Sequence, residues 1–293
     1  MIEICEVGPR DGLQNEKVTF SVDERVEMIG RLLDSGIRNI EAVSFVNPKV
    51  VPQMAFAEQV MEQMPRRAGA RYAGLVLSAG GMERALTSGL DEINVVLAAS
   101  NTFNRKNAHR STEDSLAELT PLIYKAKGKN HFVRGVIGTA FGCPFEGSIS
   151  FTSIQLIIHK FLEHGVDAIT LADTTGVANP MQVTRVVEQF NEHFPEVKLG
   201  LHFHNTRGLG IANVYAGYLA GVRRFDSSVG GIGGCPFAPL SIGNVCTEDM
   251  VHMFEQMGEA TGIELDQLIE TAKWTEEKLV HRLDGYVMKA GPV

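Results

Sequence analysis

With 293 residues, 44% hydrophobic and 21% charged, the chain has material for one large α/β domain or two smaller ones. A net charge of −8 without basic runs argues against a nucleic-acid or anionic-membrane binder, although a local Arg/Lys cluster can still hold an anionic small molecule. Four cysteines (Cys5, Cys143, Cys235, Cys246) form no CxxC pair, which points to free thiols in a reducing compartment, and no apolar run approaches the roughly 18 residues of a membrane span.

The first strand-like run starts at Ile2, so no signal or transit peptide is expected and a cytoplasmic location follows. From there a short β-rich run, a turn and an amphipathic helix recur. Strands are predicted over Ile2–Val7, Asn39–Ser44, Tyr72–Leu77, Glu92–Leu97, Phe132–Thr139, Ala168–Ala172, Lys198–His204 and Arg224–Val229. Helices are predicted near Asp23–Ser35, Gln53–Met64, Gly81–Thr87, Thr112–Ala126, Ser153–His164, Met181–His193, Leu209–Ala220 and Thr247–Met257. Asp23, Thr112 and Thr247 sit where N-caps form, and Gly36, Gly165 and Gly221 where helices stop. Ile263–Arg282 reads as one more helix, with Leu265, Leu268, Ile269, Ala272, Leu279 and Val280 on its apolar side.

Units of about 30 residues, repeated eight times in roughly 260, predict an α/β fold of the (β/α)₈ (TIM) barrel type. One domain is expected, with the barrel over about 1–260 and a helical tail over about 261–293. A doubly wound open sheet is the alternative, but no GxGxxG follows the first strand.

In such a barrel the reactive residues belong at the carboxyl ends of the strands. The stretch Leu199–Gly210 (LGLHFHNTRGLG) is the strongest candidate. His202 and His204 fall at i and i+2, so both imidazoles point to one side of a strand end, as half of a metal site or as a hydrogen-bonded polar strand end. Arg10 and Asp11 follow the first strand, as a site pair or as a turn ion pair. Glu41 lies in an apolar strand, where a carboxylate must be paired or protonated, and Arg10 is a reasonable partner. Asp173 ends the sixth strand, as a proton-handling group or a cap of the next turn. Asn244 lies beyond the eighth strand, past a Gly/Cys/Pro loop carrying Cys235, which is either a small buried hydrophobe or part of a mobile lid. Gly142-Cys143-Pro144-Phe145 repeats Gly234-Cys235-Pro236-Phe237, which similar turn chemistry accounts for.

The motifs Arg10-Asp11-Gly12-Leu13-Gln14, His202-Phe203-His204-Asn205 and Gly233-Gly234-Cys235-Pro236 carry a resemblance. With the runs Glu6–Lys17, Ser44–Met54 and Asp226–Asn244, the chain resembles the 3-hydroxy-3-methylglutaryl-CoA lyases, within the metal-dependent lyase and Claisen-condensing superfamily of TIM barrels. The resemblance implies that Asp11, His202, His204 and Asn244 hold a divalent cation, Mg²⁺ or Mn²⁺. It implies cleavage of a 3-hydroxyacyl-CoA to acetyl-CoA and a ketone product, with no organic cofactor beyond the CoA thioester. Arg10 would face the charge on the thioester enolate, and Glu41 would orient Arg10. Asp173 and His202 are candidates for moving the hydroxyl proton, and Cys235 for proton transfer to the departing enolate. Gln14, Lys17, Arg134, Asn205 and Arg207 are further candidates for substrate contact, and a homodimer or higher homo-oligomer is expected.

Three positions depart from the lyase pattern: Asn205, Arg207 and Leu209 stand where it has Asp, Tyr and Gln. His-Phe-His-Asn followed by a Gly-Leu pair is similar to the condensing synthases for homocitrate and isopropylmalate, although Thr206 replaces their usual Asp. The metal and Arg10 positions are unaffected, so the expectation is a lyase for a 3-hydroxy-3-methylglutaryl-CoA-like thioester giving acetyl-CoA and acetoacetate or a related keto acid, and the three departures point to an acyl group that differs from methylglutaryl. The alternatives are a condensing acyltransferase and a catalytically silent binding module.

Overall fold

The computed structural model describes residues 1–234 and 243–292. Eight strands pair in parallel in sequence order: β1 (Glu3–Glu6), β2 (Asn39–Ser44), β3 (Arg71–Val76), β4 (Glu92–Ala98), β5 (Phe132–Gly138), β6 (Ala168–Asp173), β7 (Lys198–Phe203) and β8 (Arg224–Ser227). β1 pairs with β8 as well as with β2, with Glu3 opposite Arg224 and Ile4 opposite Phe225. This closure excludes the open doubly wound sheet, which would leave two unpaired edges.

Around the barrel lie α1 (Val22–Asp34), α2 (Ala57–Gln63), α3 (Ala79–Ala85), α4 (Asn101–Ala108), α5 (Thr112–Gly128), α6 (Phe151–Glu163), α7 (Pro180–His193), α8 (Gly210–Leu219) and α9 (Thr247–Gln256). Two helices follow, α10 (Leu265–Leu279) and α11 (Val287–Ala290). α10 packs on α1, and its Trp274 meets Phe20 edge-on with ring centroids 5.9 Å apart. Ile4, Ile40, Tyr72, Ile93, Val133, Ile169, Leu201 and Phe225 give one buried apolar residue per strand to a continuous core. Contact between sheet and helix is close enough at Gly135 that a Cβ there would lie 2.4 Å from the Phe161 ring of α6.

The barrel interior is polar. Asn94 of β4 donates to Glu41 of β2 at 2.8 Å, and Arg224 of β8 donates to Glu92 of β4 at 3.3 Å. These strands are not neighbours, so the bonds cross the interior. The bonds satisfy part of the buried polar set.

The glycine stops are as expected: Gly36, Gly165 and Gly221 have φ of 98°, 90° and 104° just past α1, α6 and α8. The N-caps are not. Ser21 and Ser111 cap α1 and α5 in capping boxes with Glu24 and Asp114, which leaves Asp23 and Thr112 inside the first turns. At α9 the capping position is Cys246, without a side-chain cap, and the Thr247 hydroxyl donates to Glu6 instead. Among the described residues no helix is long and apolar enough to cross a membrane.

Candidate active site

The chain leaves β1 through a single tight turn, Gly8–Gly12, in which the amides of Arg10, Asp11 and Gly12 all approach the Val7 carbonyl. The turn sets Arg10 and Asp11 side by side at the carboxyl end of the barrel. Arg10 donates from Nε to Glu41 Oε2 at 2.6 Å and ion-pairs through its terminal nitrogens with both Glu41 and Asp11. The other Glu41 oxygen accepts from Asn94. Burial pushes the Glu41 carboxyl up, against the pull of Arg10 and Asn94. The turn pair is therefore one end of a relay running from Asp11 through Arg10 and Glu41 to Asn94.

Asp11 also faces the two histidines of β7 and its exit. Its Oδ2 lies 3.9 Å from His202 Nε2 and 3.8 Å from His204 Nε2. One ligand atom from each of the three residues lies within 4.8 Å of the others, a spacing that can hold a metal ion. Asn244 Nδ2 donates to the same Asp11 oxygen at 2.9 Å and to the Ile232 carbonyl at 3.1 Å, while its buried Oδ1 has no partner. A half-turn of the amide would present that oxygen to the same space.

Electrostatics suits a cation. Burial opposes ionisation of Asp11, but Arg10, His202, His204 and Asn244 hold its carboxyl well below the usual range. Burial, with His202 and Arg10 beside it, pushes His204 down to about 4. A carboxylate and a neutral imidazole are the forms that ligate metals. Gly233 completes the cradle: its φ is 122°, and a Cβ there would lie 2.5 Å from Asn244 Nδ2.

Residues 1–274 match the HMGL-like family. The chain belongs to the HMGL-like family. It is 42% identical to hydroxymethylglutaryl-CoA lyase YngG of Bacillus subtilis, over 95% of this chain and 93% of that one. It is 41% identical to (R)-citramalyl-CoA lyase of Chloroflexus aurantiacus, over 100% of this chain and 95% of that one. The fold overlays that of an HMG-CoA lyase from Acinetobacter baumannii, solved with coenzyme A and 3-methylmalate, with a TM-score of 0.96 at 43% identity; the match covers 100% of this chain and 95% of that one. This HMGL-like chain is accordingly an enzyme of the carbon–carbon lyase class.

The remaining candidates of this HMGL-like barrel are distributed unevenly. Asp173 is fully buried, and both of its oxygens accept backbone amides, Val177 N at 2.9 Å and Ala178 N at 3.0 Å. It caps the β6–α7 turn while standing next to His202 in charge terms, and burial pushes its pKa up. Asn205 Oδ1 accepts from Gly210 N at the start of α8. Arg207 is exposed, and its Nη1 donates to the Thr175 and Gly176 carbonyls at 3.0 and 2.9 Å. Both side chains thus tie loops together beside the site. Gln14 is half-buried and Lys17 exposed, just past the Arg10 turn. Arg134 is a correction: it binds Glu92 at the first residue of β4, at the amino end of the barrel and away from the site. Cys235 lies outside the described residues.

Three site residues escape the motif reading. Asn94 anchors Glu41, and Asp226 of β8 stands 3.4 Å from His202 Nδ1. Glu6 accepts from Gly8 N at 2.7 Å, Val229 N at 3.0 Å and Thr247 Oγ1 at 2.6 Å, which joins the loops that carry Arg10 and Asn244. The signal that singles out Glu41, a charged or amide side chain inside an apolar strand, applies equally to all three.

Proposed function

We propose that the protein cleaves 3-hydroxy-3-methylglutaryl-CoA to acetyl-CoA and acetoacetate in a divalent-cation-dependent retro-Claisen reaction. The observation that carries this reading is the shared Asp11: one oxygen meets Arg10, and the other faces His202, His204 and Asn244. A guanidinium and a metal-ligating set therefore stand side by side, as needed for a substrate with a thioester at one end and a hydroxyl beside a carboxylate at the other.

A bound Mg²⁺ or Mn²⁺ held by Asp11, His202, His204 and Asn244 would supply Lewis acidity toward the 3-hydroxyl and the distal carboxylate. Two imidazoles with oxygen donors suit Mn²⁺ as well as Mg²⁺. Loss of the hydroxyl proton lets the C2–C3 bond break, and its electron pair moves onto the thioester as an enolate. Arg10 stabilises that enolate oxygen, because it is permanently cationic and is pre-positioned by Glu41. Asp173 is assigned as the group that takes the hydroxyl proton, and His202 can do so only while its Nε2 is not bound to the cation. Cys235 is assigned delivery of a proton to the enolate carbon.

A second reading is favoured by the similarity to (R)-citramalyl-CoA lyase. Citramalyl-CoA keeps the hydroxyl, methyl and carboxylate on the carbinol side but is one methylene shorter, and it yields pyruvate in place of acetoacetate. One methylene is worth only about 1–3 kcal/mol of discrimination. The deciding experiment feeds each thioester with Mg²⁺ or Mn²⁺ and follows acetyl-CoA, acetoacetate and pyruvate by mass spectrometry. A higher kcat/KM for methylglutaryl-CoA hydroxylated at C3 supports the first reading. A higher value for citramalyl-CoA supports the second, and cleavage of neither overturns both.

A further inference from the structure

The polar interior of the barrel ends, at the amino pole, in a basic basin. Arg134 of β5 donates from Nε to Glu92 at 2.7 Å. Arg224 of β8 donates to the same Glu92 oxygen at 3.3 Å and ion-pairs with Glu3. Both arginines are buried, 4% and 8% exposed, yet Arg134 Nη1 and Arg224 Nε have no hydrogen-bond partner. A cavity of about 250 Å³ is lined by these two side chains, Glu3, and Arg71, Lys198 and Arg223 from the starts of β3, β7 and β8.

The charges do not balance. Glu3 and Glu92 pair with Arg134 and Arg224, and the Asp226 carboxylate also stands in the field of both arginines. That leaves Arg71, Lys198 and Arg223, all exposed at the rim. Arg223 Nη1 donates to the Tyr218 and Val222 carbonyls, not to a carboxylate. Arg71 and Lys198 make no ion pair among the described residues. In a chain of net charge −8, three unbalanced cations around a concave mouth focus positive potential where an anion would enter. Below them, two buried guanidinium N–H groups still lack acceptors, and planar guanidinium forks match phosphate and carboxylate oxygens.

We propose that this basin is a second ligand site, for a compact dianion of the phosphate class, whether inorganic phosphate or the terminal group of a phosphate ester. Its acceptor oxygens would meet the rim cations Arg71, Lys198 and Arg223, whose charge it offsets, above the buried Arg134 and Arg224. The site lies at the pole opposite Asp11 and His202, so its ligand is not the substrate in the act of cleavage.

The test is calorimetric titration with inorganic phosphate and with ribose 5-phosphate, at ionic strength held constant with chloride. The proteins are the wild type, Arg10→Lys and the double variant Arg71→Glu/Lys198→Glu. Expected are saturable binding to the wild type, the same affinity in Arg10→Lys, and at least tenfold weaker binding in the double variant with kcat/KM for thioester cleavage unchanged. Tighter binding of the ester identifies that source, and tighter binding of the free ion the other. If the charge reversal prevents folding, Lys198→Gln should weaken binding in the same direction. The proposal is overturned if neither probe binds saturably, if the rim variants bind as well as the wild type, or if Arg10→Lys abolishes binding.

Discussion

Asp226 stands 3.4 Å from Nδ1 of His202, on the opposite side of the ring from the Nε2 that faces Asp11. A carboxylate there accepts the Nδ1 proton and leaves Nε2 bare toward the candidate cation position. It also holds the His202 pKa up: burial lowers it, but the hydrogen bond to Asp226 and the charge of Asp11 outweigh burial. Asp226→Ala should therefore weaken metal binding about 10–100-fold, the usual cost of losing such a partner. Competition against a chromophoric chelator, on protein with unchanged far-UV circular dichroism, checks this. Wild-type affinity would show that Asp226 does not orient the ligand.

Metal removal should abolish turnover, and Mg²⁺ or Mn²⁺ should restore it. His204→Ala should weaken metal binding more than Asp226→Ala, because it removes a ligand and not its orienting partner. Full activity in excess EDTA, after metal analysis shows the cation gone, would sink the assignment of Asp11, His202, His204 and Asn244.

Arg10 is expected to act on the transition state. Its guanidinium faces charge that develops only as the carbon–carbon bond breaks. Arg10→Lys keeps the charge but loses the fork that engages Glu41 and Asp11 together. The kcat should fall about 100-fold or more, as for loss of one oxyanion donor, with a much smaller change in KM. Near-normal kcat with a large rise in KM would make Arg10 a binding residue only.

The eight strands were legible as β-rich runs bounded by turn residues, and Asp11, His202 and His204 as reactive types at strand ends, Glu41 as a carboxylate inside a strand and Asn244 as an amide past the last one. Three kinds of feature were not. α4 has no apolar period: of its buried positions only Phe103 is hydrophobic, and the helix is set by Ser100 capping the Phe103 amide. The N-caps fell one or two residues early, at Ser21 and Ser111, because the deciding quantity is which hydroxyl reaches the N3 amide. Depth in the barrel was also hidden. Alternation along β5 gives Arg134 a face but not a height, and the side chain turns toward Glu92 at the amino pole. Asp226 needed the β7–β8 register, which sets it opposite His202, and Asn94 needed the curvature of the sheet that brings β4 across the interior to Glu41 on β2.

Glu6 makes the stability of the barrel depend on pH. Burial pushes its carboxyl up to about 7 from an ordinary 4.5, although Thr247, Gly8 and Val229 all donate to it. The protonated form costs little, since Thr247 Oγ1 lies 2.9 Å from Ser227 Oγ and can donate there while accepting from Glu6. With a raised folded-state pKa, the folded protein binds more protons than the unfolded chain between about 4.5 and about 7. The Glu6 contribution to stability is therefore complete below that window and is lost as pH rises through it, by up to roughly 3 kcal/mol at about 1.4 kcal/mol per pH unit. Glu6→Gln keeps the shape, and its amide can donate to Thr247. Denaturant melts at pH 5 and pH 8 should show wild type losing stability on the alkaline side and Glu6→Gln losing about 2.5 kcal/mol less over the same interval. Equal losses in the two proteins would mean that Glu6 is ionised throughout, held as a carboxylate by its three donors.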